Sequence, residues 1–162
     1  MGIRSGLGRW PSLKAELIAR EYLSPVCSPA VARGLPARPQ PADLAKLMLL
    51  HDEPRAAWRQ WCELAGVSLD LTQGVQFSDA ALVLQAAADG AGVALGRLLL
   101  AEDDVRAGRL VQLFDVVLPN DYSYWLVYAR ATAERPDAVA FRNWVREEAR
   151  QSSLNEGKKA VR

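Results

Sequence analysis

The sequence is poor in the side chains that most enzymes depend on. It has one histidine, His51, and two cysteines, Cys27 and Cys62, among 162 residues. None of the three stands at ligand spacing, which argues against a zinc site. The cysteines are far apart in apolar surroundings, so they read as reduced core thiols of a cytoplasmic chain. Charge of one sign is also missing. The 20 Lys and Arg balance 19 Asp and Glu, leaving no basic footprint for nucleic acid. No apolar run approaches the roughly 20 residues of a membrane helix. The start, "MGIRSGLGRWPSLKAEL", lacks the uninterrupted apolar core of a secretory signal. There is no G-x-S-x-G elbow, and neither cysteine has a histidine nearby in sequence. Asp103 and Asp104 fall on a helical surface, the usual place for solvated charge. No enzyme and no cofactor is expected.

What is present is a succession of short apolar runs separated by helical patterns. Met1 to Ser5 suits a strand, "GLGRWP" a glycine-rich loop, and Leu13 to Leu23 a strand. "EYLSPVCSPAV", residues 21 to 31, sets two Ser-Pro pairs around Val26-Cys27. Each proline removes a donor and makes its predecessor extended. The stretch therefore reads as a strand, a short extended bridge, and a helix opened by Pro29 with Ser28 as its cap. A helical turn over Ala42 to Lys46 and a strand at Leu47 to Leu50 follow. Trp58, Trp61, Cys62 and Ala65 lie at i, i+3, i+4 and i+7, one face of an amphipathic helix that Gly66 ends. "QGVQF" is a strand, and "SDAALVLQAAADG" a helix apolar almost all round, hence mostly buried. "GVALG", "LVQLFDVVL" and "YSYWLVYAR" are strands, with helical turns in "LAEDDVRAG". The last helix, "RPDAVAFRNWVREEARQ", turns Phe141, Trp144 and Val145 inward, and the polar end frays. Alternating strands and helices mean an α/β fold with mostly parallel pairing. Ligands of such sheets bind beyond the carboxyl ends of strands, beside helix N-termini.

The strand-to-helix junction "QFSDAAL" is the strongest local candidate for binding. Ser78 and Asp79 precede free helix N–H groups suited to a carboxylate or phosphate. They are also preferred caps, which need no ligand, and the local sequence favours the cap. His51, where a strand ends, fits a turn better than a ligand site. Tyr124, on an aromatic strand, fits packing better than binding. Arg4, just before a loop, suits either an acidic ligand or water.

"IRSGLGRWPSLKAELIAREYLSPVCSPAVA" resembles the middle of the effector-binding domain of LysR-type transcriptional regulators, in the branch of the glycine-cleavage activator and the β-lactamase regulator. "LLHDEPRAAWRQWCELAGV", "GVQFSDAALVLQAAADGAGVALGR", "DDVRAGRLVQLFD" and "YSYWLVY…RPDAVAFRNWVREEA" continue it in order over residues 1 to about 150. The resemblance implies a two-lobed α/β fold like that of periplasmic binding proteins. Residues 1–27 and 119–150 would form part of lobe one, 28–118 lobe two, and 151–162 a flexible tail. Pro25, Val26, Cys27 and Pro119 would be the hinge. Arg4, Ser5, Phe77, Ser78, Asp79 and Tyr124 match cleft-lining positions, with His51 close by. The implied partner is a small carboxylate, amino-acid-like or peptide-like effector. Dimers or tetramers would form in the intact family, which touches DNA only through an N-terminal domain and does not bind membranes.

The chain departs from a full family member, which begins with a winged helix-turn-helix, a linker helix and the first elements of lobe one. Lobe one is thus expected to be incomplete, as in a gene remnant, a miscalled start or a deliberate fragment. Ser5 also stands where the usual loop has tyrosine. The expected function is effector sensing for transcription regulation. A free-standing solute-binding protein of the same fold is the alternative, and it would need export. A small enzyme is disfavoured by the lack of a nucleophile and base pair.

Overall fold

The computed structural model describes residues 1–52 and 56–151. Beyond residue 151, the expected tail lies outside the described residues. The chain forms two compact units, one from Met1–Glu21 with Pro119–Arg162, the other from Tyr22–Leu118. No helix among the described residues is long and apolar enough to cross a membrane.

The first unit holds a three-stranded sheet in the order β1 (Gly2–Gly6), β9 (Ser123–Ala129), β2 (Leu13–Ala19), both pairs antiparallel. The loop between β1 and β2 folds back over Trp125, whose indole donates to the Gly6 carbonyl at 2.9 Å. Gly8 makes that close approach feasible. Its φ is +79°, and a Cβ there would lie 2.4 Å from the Trp125 ring. Helix α5 (Pro136–Gln151) lies against β2 and buries Val145. The other two aromatic positions expected to face inward do not: Phe141 is 38% exposed and Trp144 58%. Trp58 and Trp61, the aromatic anchors of the second unit, are almost wholly buried. Helical periodicity placed the three α5 side chains on one stripe, but the narrow sheet beneath covers only the Val145 side.

The second unit carries a six-stranded sheet, β5–β4–β6–β3–β7 with β8 also on β3. Its strands are β3 (Tyr22–Cys27), β4 (Leu49–His51), β5 (Val75–Gln76), β6 (Val93–Arg97), β7 (Val111–Gln112) and β8 (Leu118–Pro119). The helices are α1 (Pro29–Ala32), α2 (Ala56–Ala65), α3 (Ala80–Ala88) and α4 (Leu98–Arg106), with a 3-10 turn at Pro41–Lys46. The expectation of mostly parallel pairing is overturned. β4 is parallel to β5 and β6, where helices α2 and α3 make the crossovers. The pairs β1–β9, β2–β9, β3–β6 and β3–β7 are antiparallel, because these strands do not come from adjoining βαβ units. The core gathers Cys27, Leu44, Leu49, Trp58, Trp61, Cys62 and Val93. Both thiols are free and buried, and burial pushes Cys27 up to about 11.

The Ser-Pro stretch is not a bridge but an inner strand. Pro25 pairs with Leu95, Val26 with Ala94 and Gln112, and Cys27 with Val111. The chain changes unit earlier, at Glu21/Tyr22, so the single strand expected over Leu13 to Leu23 becomes β2 and β3. Pro25 also accounts for a second difference. Having no N–H, it cannot complete a ladder with the strand beside it. The run "LVQLFDVVL" accordingly leaves the sheet after Gln112 and returns only at Leu118. Side chains take up its carbonyls instead. The Ser24 hydroxyl faces the Phe114 and Val116 oxygens at 3.2 Å each, and the Trp61 indole donates to Val116 O at 3.1 Å. Helix α3 differs as well. It buries only Val83, Leu84 and Ala87, and Leu82 is 58% exposed.

Candidate functional site

The carboxyl ends of β4, β5 and β6 form one rim of the second unit, where parallel sheets place their ligands. His51 pairs with Gln76, and its carbonyl accepts the Phe77 N–H at 2.8 Å. That register delivers Phe77, Ser78 and Asp79 directly beyond the strand. Asp79 takes extended angles, φ −135° and ψ 128°, and caps α3. Its Oδ1 accepts from Ala81 N at 2.7 Å and from Leu82 N at 3.4 Å. The cap therefore belongs to Asp79 alone. Ser78 is exposed, and its hydroxyl makes no hydrogen bond among the described residues. Phe77 is half-buried beside them.

His51 does not join this group. It is fully buried, and Nε2 donates to the Gln73 carbonyl at 2.8 Å, leaving Nδ1 as an acceptor without a partner among the described residues. Alternation puts its ring on the strand face of Leu49, which packs with Trp58 and Trp61 of α2. Gly74, at φ +115°, leaves room for it, since a Cβ there would sit 2.6 Å from Nε2. His51 is thus a core residue that ties down the approach to β5.

The sequence reading missed a charge pair on the same rim. Asp52, one residue beyond β4, accepts from Arg97 at the end of β6, with Nε and Nη2 each 3.1 Å from Oδ2. Both side chains are largely buried. The only available signal was position: each directly follows or ends a parallel strand. Glu21 was also missed, a buried carboxylate whose backbone carbonyl accepts from Asn120 N at 3.0 Å.

The remaining candidates lie in the first unit. Ser5 is the direct cross-strand partner of Tyr124, and Arg4 of Trp125. Successive strand residues face opposite ways. Ser5 and Tyr124 therefore share one face, while Arg4 and Trp125 share the other. Arg4 and Ser5 are exposed and Tyr124 half-buried. Of the hinge candidates, Pro25, Val26 and Cys27 are buried inside β3, whereas Pro119 stands at the second crossing between units. The second-unit group offers a hydroxyl, an aromatic ring and a carboxylate, and the first-unit group, taken by itself, hydroxyls and an exposed guanidinium. Groups of these kinds suit reversible recognition of a small polar molecule.

Comparison with known proteins places the chain. The model of the LysR substrate binding domain matches residues 1–150. The chain is 42% identical over 141 residues to the glycine cleavage system transcriptional activator of Escherichia coli K12, covering 86% of this chain and 46% of that protein. It is 32% identical over 148 residues to the HTH-type transcriptional activator AmpR of Rhodobacter capsulatus, covering 90% and 49%. The chain thus spans about half the length of these curated relatives. The effector domain of AmpR from Pseudomonas aeruginosa superposes with a TM-score of 0.80 at 29% identity, covering 96% of this chain and 74% of that one. The CrgA regulatory domain of Neisseria meningitidis shares the fold, with a TM-score of 0.68 at 18% identity. The architecture is the α/β, periplasmic-binding-protein-like one of these effector-binding domains. By the match over residues 1–150 and this likeness of sequence and fold, the chain belongs to the LysR family of transcriptional regulators, as its substrate-binding domain.

Proposed function

We propose that this chain is the effector-sensing part of a cytoplasmic LysR-type regulator and works without catalysis. The observation that carries the reading is the division of labour at the β5–α3 junction. Asp79 satisfies the helix end, so the neighbouring exposed Ser78 hydroxyl is available to a ligand. The effector is a small carboxylate or amino-acid-like molecule. Ser78 and the backbone at Asp79 hold its anionic group, Tyr124 donates a hydroxyl, and the Asp79 carboxylate takes a ligand amine if there is one. Pro119 serves as a hinge residue.

An effector acts only through different affinities for two conformational states. In a complete regulator that difference would change how the helix-turn-helix part holds DNA. The test is a thermal-shift screen of carboxylates and amino-acid-like compounds on wild type, Tyr124→Phe and Ser78→Ala. A true effector stabilises wild type by about 2.7 kcal/mol at a hundredfold excess over its dissociation constant. Both variants should lose most of that shift while keeping their ligand-free fold. Variants that retain the full shift would remove these residues from the site. A screen with no stabilising compound would count against effector sensing by this chain.

A further inference from the structure

We propose that His51 is a positioning residue for the effector site, a latch that grips both ends of β5 and so fixes where Phe77, Ser78 and Asp79 stand. This role presupposes that the junction meets the ligand, as proposed above. Little side-chain packing holds β5 in place. The strand is two residues long, and both Val75 and Gln76 are exposed, Val75 at 47%. Burial therefore anchors it weakly. Its neighbour β4 is the opposite. Leu49, Leu50 and His51 are all buried, and the Trp58 indole donates to the Leu50 carbonyl at 3.1 Å. Asp52, the next residue, is paired with Arg97 of β6. A firmly held strand thus carries a weakly held one.

His51 reaches both ends of β5 from one position. Its backbone carbonyl accepts the Phe77 N–H at 2.8 Å, just beyond the strand. Its Nε2 donates to the Gln73 carbonyl at 2.8 Å, just before the strand. A carbonyl can only accept, so the ring proton of that bond sits on Nε2. Gly74 lets the chain turn between these points, since a Cβ there would strike both the imidazole and the Leu49 carbonyl. The other ring nitrogen shows that filling space is not the whole role. Nδ1 is buried without a partner among the described residues, a desolvation cost that a leucine, as at Leu49 and Leu50, would not carry. The Nε2 bond offsets that cost. A junction held in advance loses less freedom when a ligand binds, so the latch raises affinity without touching the ligand.

Amide exchange of the full chain, followed by NMR with no ligand added, tests the latch. His51→Phe keeps a ring and loses the donor. The Phe77 amide should then exchange about 3- to 10-fold faster, the size of one neutral hydrogen bond. His51→Gln sets its amide nitrogen at about the reach of Nε2 and should restore most of the protection. His51→Asn, one methylene shorter, should not. The Val93 amide bonds to the Met48 carbonyl at 2.9 Å on the β6 side of β4, and it should keep its wild-type rate in all three variants. In the wild type, ring nitrogen NMR should show a slowly exchanging proton on Nε2. Equal Phe77 rates in the three variants would reduce His51 to a packing residue and overturn the proposal. A Val93 amide that loosens as much as Phe77 would do the same. So would a wild-type ring proton on Nδ1 with Nε2 bare, a result that needs no variant to fold. A latch that behaves as expected in a chain that no effector stabilises would overturn the reading of the junction as a ligand contact and leave the latch standing.

Discussion

Replacing Glu16 by glutamine should loosen the final helix from its sheet, and more so at neutral than at acid pH. Glu16 stands on β2. One carboxylate oxygen accepts from the Tyr128 hydroxyl of β9, the other from Arg146 of α5, at 2.5 and 3.1 Å. Arg142 of the same helix lies over the Tyr128 ring, 5.6 Å from its centre. A single carboxylate thereby joins two strands and the helix. Arg146 is about half exposed, so its ion pair contributes only about 0.5–1 kcal/mol. Tyr128 is buried, and a weakened bond to its hydroxyl costs about another 0.5–1.5 kcal/mol. The expected loss for Glu16→Gln is about 1–2 kcal/mol, or about 5- to 30-fold in an opening equilibrium. Because two units need not unfold together, the assay is hydrogen exchange of β2, β9 and α5 amides, with second-unit amides as the internal reference. The pH dependence has a definite sign. Burial pushes the Glu16 carboxyl up, but Tyr128, Arg146 and Arg142 outweigh it and hold it below the ordinary 4.5. A carboxyl lowered by folding adds stability above its unfolded value, and that stability is lost as pH falls through the folded value. The gap between wild type and Glu16→Gln should therefore be full above about pH 5 and shrink below the ordinary value. Identical exchange in both proteins at neutral pH would refute the clamp, as would a gap that widens on acidification.

Asp79→Ala should cost about 1 kcal/mol in denaturant unfolding, and Asp79→Asn much less, since asparagine keeps a capping oxygen. Gly74→Ala should destabilise by more than about 1 kcal/mol, because its φ is +115° and a Cβ would stand 2.3 Å from the Leu49 carbonyl; a neutral result in a melting experiment would show that the turn can relax. Cys27 and Cys62 should react with a thiol reagent only as fast as the second unit opens, given buried thiols with Cys27 raised to about 11; rapid labelling of the native chain would contradict that core. Gel shifts at moderate salt should show no sequence-selective DNA binding by this chain, whose net charge is +1; a salt-resistant, selective shift would be the contrary result.

Where one element decides its own environment, the sequence was readable. The Trp58, Trp61, Cys62 stripe of α2 packs as its 3.6-residue period requires. The Ser28-Pro29 start of α1 and the strand-to-helix turn at Phe77 to Asp79 form where expected. Reading failed where a distant partner sets the outcome. Ser24-Pro25 signals a break locally, yet β6 captures the segment as an inner strand, and the break appears in the neighbouring strand after Gln112. Trp144 and Leu82 carry apolar patterns that locally signal burial, but among the described residues no element of their own unit covers them. His51 looked like a rim residue because strand ends are rims; its exposure depends on the pleat and on Gly74, twenty-odd residues away. At the β5–α3 junction the turn and its cap were legible from one short stretch. The Asp52–Arg97 pair was not, because it joins two strand ends distant in sequence.

The two crossings of the chain bear on heredity. The second unit is one unbroken stretch, Tyr22–Leu118, and the residues that flank it are neighbours, with Asn120 N bonded to Glu21 O at 3.0 Å. A gene segment with such adjacent ends can be exchanged as a cassette without rethreading the host fold, because the entry and exit points stay where they were. Recombination at these two points would swap the Ser78–Asp79 junction together with the whole sheet that presents it. The three strands and the helix that Glu16 holds together would be left untouched. The second unit would then diverge by exchange of the entire module as well as by point changes.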